Sequence, residues 1–414
     1  ILSVVKQDFL SSMRYISKEQ TNIAKMLLLT AFSRFFVMGI TIVGLPFFVR
    51  TVLGLNARYY GAAESSLAVA VIIGSVAAGL LAEKLKIEAI SQGCSDNCAL
   101  VAAYMGERLG LGGHDTYENA QIIHRKDRFK QFAREVGIKS PAAHYYESVE
   151  EALGQGIKDG ISLIVKPSDQ AGGKGVSTVC DSEAYQKAVM RAFTMSRDGR
   201  IVVEPYIKGT LHSLSTFIID QRVVAYATLN DYSYVNKYLT NTGVSPADNW
   251  EIAIKWLLPE VEKVARKLRL VDGLLHLQYI ECQGEFWIIE MMRRMPGNNC
   301  TTAASRASGI DWRDWIIRAE AGEDCRGIPV PKIPDKIYGY HAIMSNRNGI
   351  YQGYHVADEF KKNIIDIMEY DDSGTVIDDY MYQKFGLIQF YFHNAEEKER
   401  YIRRIDELIN CKVN

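Results

Sequence analysis

The sequence predicts an α/β protein (α+β in the arrangement of its two lobes) preceded by two long hydrophobic helices. Three observations lead to this reading. Residues 142–334 alternate short apolar strands with amphipathic helices. A glycine-rich loop, Gly172-Gly173-Lys174-Gly175, follows an apolar strand ending at Lys166. The first 87 residues share no pattern with the rest and hold apolar stretches of membrane-spanning length.

Met26 to Val49 runs 24 residues with one charge, Arg34, and Ser65 to Ala82 runs 18 with none. Helices at about 26–49 and 59–82 therefore approach the ~20 apolar residues that cross a bilayer. They come too late and are too long for a signal peptide. Gly74, Ala77, Ala78 and Gly79 suit close helix packing in lipid. Lysines and arginines before and after the pair favour both ends on the cytoplasmic side, leaving the remainder cytoplasmic and membrane-associated if the helices insert. Two buried helices of a soluble core are the competing reading. The run Asp8 to Ile16, then Phe35-Phe36 and Leu45-Pro46-Phe47-Phe48-Val49, resembles the middle of a major facilitator transporter. That resemblance implies a transporter fragment over 1–87, without a transport path of its own, joined near residue 87 to an unrelated sequence.

Composition bounds the remainder. The 414 residues carry a net charge of −1 and no basic tract, so nothing argues for a nucleic-acid partner. Seven scattered cysteines show no framework spacing, which reads as reduced thiols.

Behind the front, residues 88–141 alternate helix and loop. His124 to Gly137 reads as one amphipathic helix, with Phe129, Phe132, Ala133 and Val136 on its apolar face and a closing glycine. Residues 142–209 form the small lobe: strand, helix 149–157, strand, glycine loop, helix 182–195, strand. Residues 210–334 form the larger lobe, with strands at 212–219 and 222–229, a polar loop at 231–249 and a helix at 250–269. Paired strands at 273–281 and 285–291 and a helix at 312–322 complete it. A proline-spaced linker, Gly327 to Pro334, leads to a C-terminal α/β appendage over 335–414, ending in a helix from Glu396 to Ile409.

The chemistry sits at three points. Lys166 ends a buried strand, where a lysine needs a partner and suits a phosphate. Glycines in the next loop let backbone N–H groups close on phosphate oxygens. Gly175, where a phosphate-loop NTPase has Ser or Thr, excludes that motif. Glu204 ends another apolar strand beside a short extended segment that suits an adenine edge. Glu290 is a ligand for a hard cation, with Arg293 and Arg294 beyond it to hold a carboxylate or phosphate.

In this order and spacing, these residues resemble the ATP-grasp superfamily, which includes carboxylate–amine ligases, biotin carboxylase and the carbamoyl-phosphate synthase large subunit. The resemblance covers about residues 88–414 and implies a two-lobed ATP-grasp fold, ATP and Mg²⁺, with small-molecule carboxylate and amine substrates. It implies a pre-ATP-grasp domain at 88–141 whose first strand and helix are missing. By the same resemblance Lys126 and Lys166 approach the α- and β-phosphates, and Gly172, Gly173, Lys174 and Gly175 cover the triphosphate. Glu204, the Pro205 carbonyl and the Ile207 N–H read adenine, and His212 faces ribose or phosphate. Gln278 and Glu290 bind metal, and Arg294, with Arg293 second, anchors substrate. The chain departs from the family where Gln278 replaces a carboxylate and Met292 an asparagine.

The implied reaction joins a carboxylate to an amine through an acyl phosphate, releasing ADP and phosphate. The competing readings are an ATP-dependent carboxylase and an ATP-binding remnant impaired at Gln278 and Met292.

Overall fold

Three antiparallel sheets organise the chain in the computed structural model, which describes residues 86–158 and 160–414. Residues 87–414 form one structural unit. The apolar segments at 26–49 and 59–82 and the transporter-like pattern lie outside the described residues. Among the described residues no helix is long and apolar enough to cross a membrane.

The unit opens with helices α1 (Asp96–Leu109), α2 (Tyr117–His124) and α3 (Lys126–Val136). The helix expected over His124 to Gly137 forms as α3 but begins at Lys126, because Arg125 is extended at φ −101°, ψ 122° and separates it from α2, to which His124 belongs. Gly137 closes α3 in the left-handed region, at φ 69°. Phe129 and Ala133 turn inward as their spacing requires, and so does Lys130.

The small lobe holds β1 (His144–Tyr146), α4 (Val149–Gln155), β2 (Leu163–Pro167), β3 (Ser177–Val179), α5 (Ser182–Met195) and β4 (Ile201–Pro205). Its strand order is β1-β4-β2-β3. The Asp181 carboxylate accepts the Ala184 N–H and starts α5. Tyr185, Ala188, Val189 and Ala192, at helical spacing, then pack on Val165, Ile201 and Val203. This packing fixes the two strands that carry Lys166 and Glu204.

The larger lobe runs β5 (Thr210–Ile219), β6 (Arg222–Tyr232), β7 (Thr242–Ser245), α6 (Trp250–Leu268), β8 (Gly273–Cys282), β9 (Glu285–Met292), α7 (Cys300–Ser308) and α8 (Trp312–Glu320). Then come β10 (Ile337–Ile343), β11 (Gly349–Val356), α9 (Asp358–Lys361), β12 (Ile364–Glu369), β13 (Val376–Ile377), β14 (Gly386–Phe392), α10 (Ala395–Ile402), α11 (Ile405–Leu408) and β15 (Ile409–Val413). Eight strands form one sheet in the order β12-β14-β10-β7-β6-β5-β8-β9, and β13-β11-β15 form a smaller one. Leu257, Val261 and Val264 of α6 cluster with Leu214, Leu275 and Leu277 of the large sheet. Ala304 of α7 and Trp312 of α8 cluster with Phe217 and Leu274. Cutting a buried leucine such as Leu257 to alanine costs about 2–5 kcal/mol in such cores.

Four departures from the sequence reading bear on the site. The segment 231–249 contains β7, paired to β6 on one side and β10 on the other. A helix, α7, follows the turn at 296–299. The large sheet runs across residue 335, so β10, β12 and β14 extend the larger lobe rather than standing apart. The expected C-terminal helix stops at Ile402, and the chain ends in α11 and β15.

Candidate functional site

The site begins where β2 and β4 pair. Lys166 on β2 and Glu204 on β4 turn to each other, with Lys166 Nζ 3.0 Å from Glu204 Oε2. A second lysine reaches the same carboxylate from α3: Lys130 Nζ lies 3.5 Å from Glu204 Oε1 and donates to Ser140 Oγ at 2.8 Å. Ser140 in turn donates to the Ile288 carbonyl of β9, tying the cluster to the larger lobe. Burial opposes the charge on Glu204, but Lys166 and then Lys130 outweigh it and hold the carboxyl below its ordinary value. Lys130 shares its partner and is buried, and burial pulls its ammonium down to about 8.

This cluster corrects one expectation. Glu204 is not an open acceptor at the end of a strand; it is buried between two ammonium groups. Pro205 is exposed at the end of β4 and Ile207 is half-buried just beyond, where the Tyr206 N–H is already held by the Ser162 carbonyl. Lys126 opens α3 and donates to the Gln170 carbonyl at 2.5 Å, so it touches the start of the glycine loop.

The loop needs its glycines. Gly172, Gly173 and Gly175 have φ of 66°, 75° and 71°, values that side chains resist. A Cβ on Gly173 would lie 2.6 Å from Tyr238, and one on Gly175 would lie 2.7 Å from Pro167. The loop rests on two tyrosines from the larger lobe. The Tyr238 hydroxyl accepts the Thr178 N–H at 2.6 Å, and the Tyr382 hydroxyl donates to the Gly173 carbonyl at 3.3 Å. Lys174 lies over the Tyr382 ring, 5.7 Å from its centre. A cavity of about 300 Å³ lies beside the loop, lined by Asp96, His124, Lys126, Gln170 and Arg197 among others.

The metal candidates meet across the large sheet. Gln278 on β8 is the register partner of Glu290 on β9, and Ser213 on β5 is paired to Gln278. The Gln278 amide donates to Asp231 Oδ2 of β6 at 3.4 Å. Burial pushes the Asp231 carboxyl up to about 7. Its Oδ1 is buried with no hydrogen-bond partner. Two carboxylates and one amide oxygen are donors of the kind that hold a hard cation such as Mg²⁺, and an orphaned buried oxygen fits that use. Among the described residues, no three His, Cys, Asp or Glu side chains form such a group by themselves. Met292 is buried and offers no hard donor.

His212 does not join this set. Alternation along β5 puts it on the opposite face from Ser213. It stacks on Tyr279 at 5.2 Å and bonds to Thr210 Oγ1 at 2.7 Å. Burial lowers its pKa, which favours the neutral ring. It packs within the sheet here, and its Nδ1 is buried without a hydrogen-bond partner.

The two arginines are also committed. Arg293 bonds Asp115 at 2.7 Å and the Leu274 and Val271 carbonyls at 2.5 and 2.7 Å, which ties all three of its nitrogens to the protein interior. Arg294 bonds Asp96 Oδ1 and Oδ2 at 2.8 and 2.9 Å, and His124 Nδ1 meets the same carboxylate at 2.9 Å. Burial would raise the Asp96 carboxyl, but His124 and Arg294 hold it well below the ordinary range. Arg293 is thus bound within the protein, and Arg294 is held by Asp96.

Sequence reasoning missed Lys130, Asp231, Tyr238 and Tyr382. Lys130 was legible in one respect: it shares a helix face with Phe129 and Ala133, where a lysine needs an acid.

The strand–glycine loop–strand lobe facing an antiparallel sheet is the ATP-grasp fold. Residues 125–244 match the family described as phosphoribosylglycinamide synthetase, ATP-grasp (A) domain. The match falls within the structural unit 87–414 and covers the small lobe together with β5, β6 and most of β7. The chain is 25% identical over 245 residues to the carbamoyl phosphate synthase large chain of Clostridium acetobutylicum, covering 57% of this chain and 21% of that one. It thus spans about a fifth of that relative's length. Among solved structures it resembles the L-amino acid ligase from Bacillus licheniformis, with a TM-score of 0.63 and 18% identity over 77% of this chain and 79% of that one. It also resembles the biotin carboxylase domain of 2-oxoglutarate carboxylase from Hydrogenobacter thermophilus, a dimer in complex with Mg-ADP, ADP and bicarbonate. There the TM-score is 0.62 with 18% identity, over 82% of this chain and 78% of that one.

Proposed function

We propose that the chain is an ATP-dependent ligase that joins a small carboxylate to an amine through an acyl phosphate. One observation carries the reading: a buried lysine, Lys130, and a half-buried one, Lys166, converge from different elements on Glu204, one strand away from a glycine loop folded against the larger lobe. A second cation held on one buried carboxylate is costly unless an anion will use it. ATP is the co-substrate. Lys126, Lys130, Lys166 and the loop N–H groups neutralise and orient its phosphates, and the Pro205 carbonyl and Ile207 N–H meet the adenine edge. Mg²⁺, held by Glu290 and Gln278, supplies charge neutralisation when bound. The carboxylate oxygen attacks the γ-phosphorus of ATP and ADP leaves; the amine then attacks the acyl carbon and phosphate leaves. The loop excludes water while the acyl phosphate exists. The cavity beside Asp96 and Lys126 is where the carboxylate and amine enter.

The experiment uses a carboxylate labelled with ¹⁸O. Ligation through an acyl phosphate moves one label into the released phosphate. ATP cleavage without label transfer, or no carboxylate-dependent cleavage with any amino acid pool, would rule the reading out. Bicarbonate-dependent cleavage would instead favour a carboxylase.

A further inference from the structure

We propose that Asp231, on β6, is a direct ligand of a divalent cation held together with Glu290 and Gln278. The carboxylate absent at Gln278 is thereby supplied from another strand of the same sheet face.

The argument rests on geometry. Asp231 is 6% exposed, and its Oδ1 has no hydrogen-bond partner. No lysine, arginine or histidine forms an ion pair with it among the described residues. Its Oδ2 accepts from the Gln278 amide nitrogen at 3.4 Å. That contact commits the nitrogen of Gln278 and leaves its carbonyl oxygen as the atom able to serve a cation. Glu290 stands directly across from Gln278 in the β8–β9 register. Two carboxylates on one sheet face, the more buried of them with no positive partner, are unfavourable until a cation sits between them. Alternation explains the placement: Asp231 and Ser213 point to the same face as Gln278, whereas Asn230 and His212 point to the other.

The purpose of the cation rests on the ligase reading, but its binding does not. Mn²⁺ is the probe, counted by the electron paramagnetic resonance of the free ion, with the full chain and with ADP absent and then present. Asp231→Asn keeps the shape and removes the charge. It is expected to weaken Mn²⁺ binding at least tenfold and to abolish the Mg²⁺-induced rise in melting temperature, while melting in chelator stays unchanged or rises. Mn²⁺ affinity within twofold of the parent, or a parent that binds no Mn²⁺, would overturn the proposal. If Asp231→Asn fails to fold, Asp231→Glu carries the test: a carboxylate lengthened by one methylene changes Mn²⁺ affinity at least threefold if it is a ligand, and an unchanged affinity overturns the idea. ADP binding, read separately, keeps the two readings apart. Mn²⁺ held through Asp231 with no ADP bound would sink the nucleotide reading and leave the cation site. ADP bound with Mn²⁺ affinity indifferent to Asp231 would do the reverse.

Discussion

Arg294 grips Asp96 through two hydrogen bonds, at 2.8 and 2.9 Å, joining the end of the β9 segment to the start of α1 across 198 residues of sequence. The pair clamps the N-terminal helices to the larger lobe beside the cavity. Asp96→Asn would leave a buried guanidinium without its counter-charge, so a loss on the order of 2–3 kcal/mol is expected in urea unfolding. Asp96 is held below its ordinary value, so its stabilising contribution is full above the unfolded carboxyl range. It is lost as pH falls below that range towards the lower folded value. Melting temperature of parent and Asp96→Asn should therefore converge only in strong acid.

Glu204 and its two lysines respond unequally to mutation. Glu204→Gln strands a buried ammonium, Lys130, and a half-buried one, Lys166, and should cost about 3 kcal/mol or more. Lys130→Met leaves Glu204 paired to Lys166 and should keep stability within about 1 kcal/mol, since an apolar chain replaces a poorly paired buried charge. Nucleotide affinity should nevertheless fall roughly tenfold or more with Lys130→Met, by loss of a charge-assisted phosphate contact. Equal effects of both variants on unfolding would contradict the asymmetry.

If Lys130 meets the phosphates as proposed, nucleotide binding should depend on pH. Its folded pKa is about 8, below the unfolded 10.5, so the unfolded chain holds more protons between these values and stability from this group rises with pH across that window. A nearby phosphate raises the folded value again. ADP binding near pH 8.5 should therefore take up a proton, seen as a buffer-dependent heat in calorimetry, and Lys130→Met should remove it. A heat independent of buffer would place Lys130 away from the phosphates.

The glycine loop can be locked or loosened. Gly173→Ala combines a φ of 75° with a Cβ 2.6 Å from Tyr238, so it should cost at least ~1 kcal/mol and displace the loop. Tyr238→Phe removes the acceptor of the Thr178 N–H and should speed hydrogen exchange and proteolysis over 168–178 without changing the core. Exchange rates equal to the parent would show that the tyrosine does not hold the loop.

Gln278→Glu should behave oppositely with and without metal. In chelator, a new carboxylate 3.4 Å from Asp231 should lower the melting temperature. With Mg²⁺ the same charge should strengthen binding and widen the stabilisation relative to the parent. A substrate-binding role for Gln278 would instead leave the Mg²⁺ titration unmoved.

Much of this was legible where local signals agree. The helix 182–195 was readable because Asp181 caps it and four apolar residues keep its period. The Lys166 strand, its loop and the Gln278–Glu290 pair were readable from alternation and glycines. What escaped depends on distant partners. β7 is four residues of Thr, Gly, Val and Ser, too short and polar to announce a strand, and its flanking strands complete it. Asp231 looked like the first residue of a loop because only the neighbouring strands β5 and β7 reveal that it lies near the end of a buried strand. Arg293 and Arg294 looked free because Asp115 and Asp96 lie some 180 and 200 residues earlier, as no motif spacing records.

The strand order has a consequence for how the molecule is made. β7 is closed on one side by β6 and on the other by β10, which begins at Ile337, and β14 then covers β10 from residue 386 onward. A nascent chain that has finished β9 has every residue proposed here to hold ATP or metal, yet the sheet beneath them is still open along β7. Pairing over such sequence distances is slow, and an unpaired edge invites other chains. Completion of the large sheet therefore waits until the chain through β14, at Phe392, has left the ribosome, and a chaperone that shields β7 until then would raise the yield of folded protein more than one acting on the small lobe.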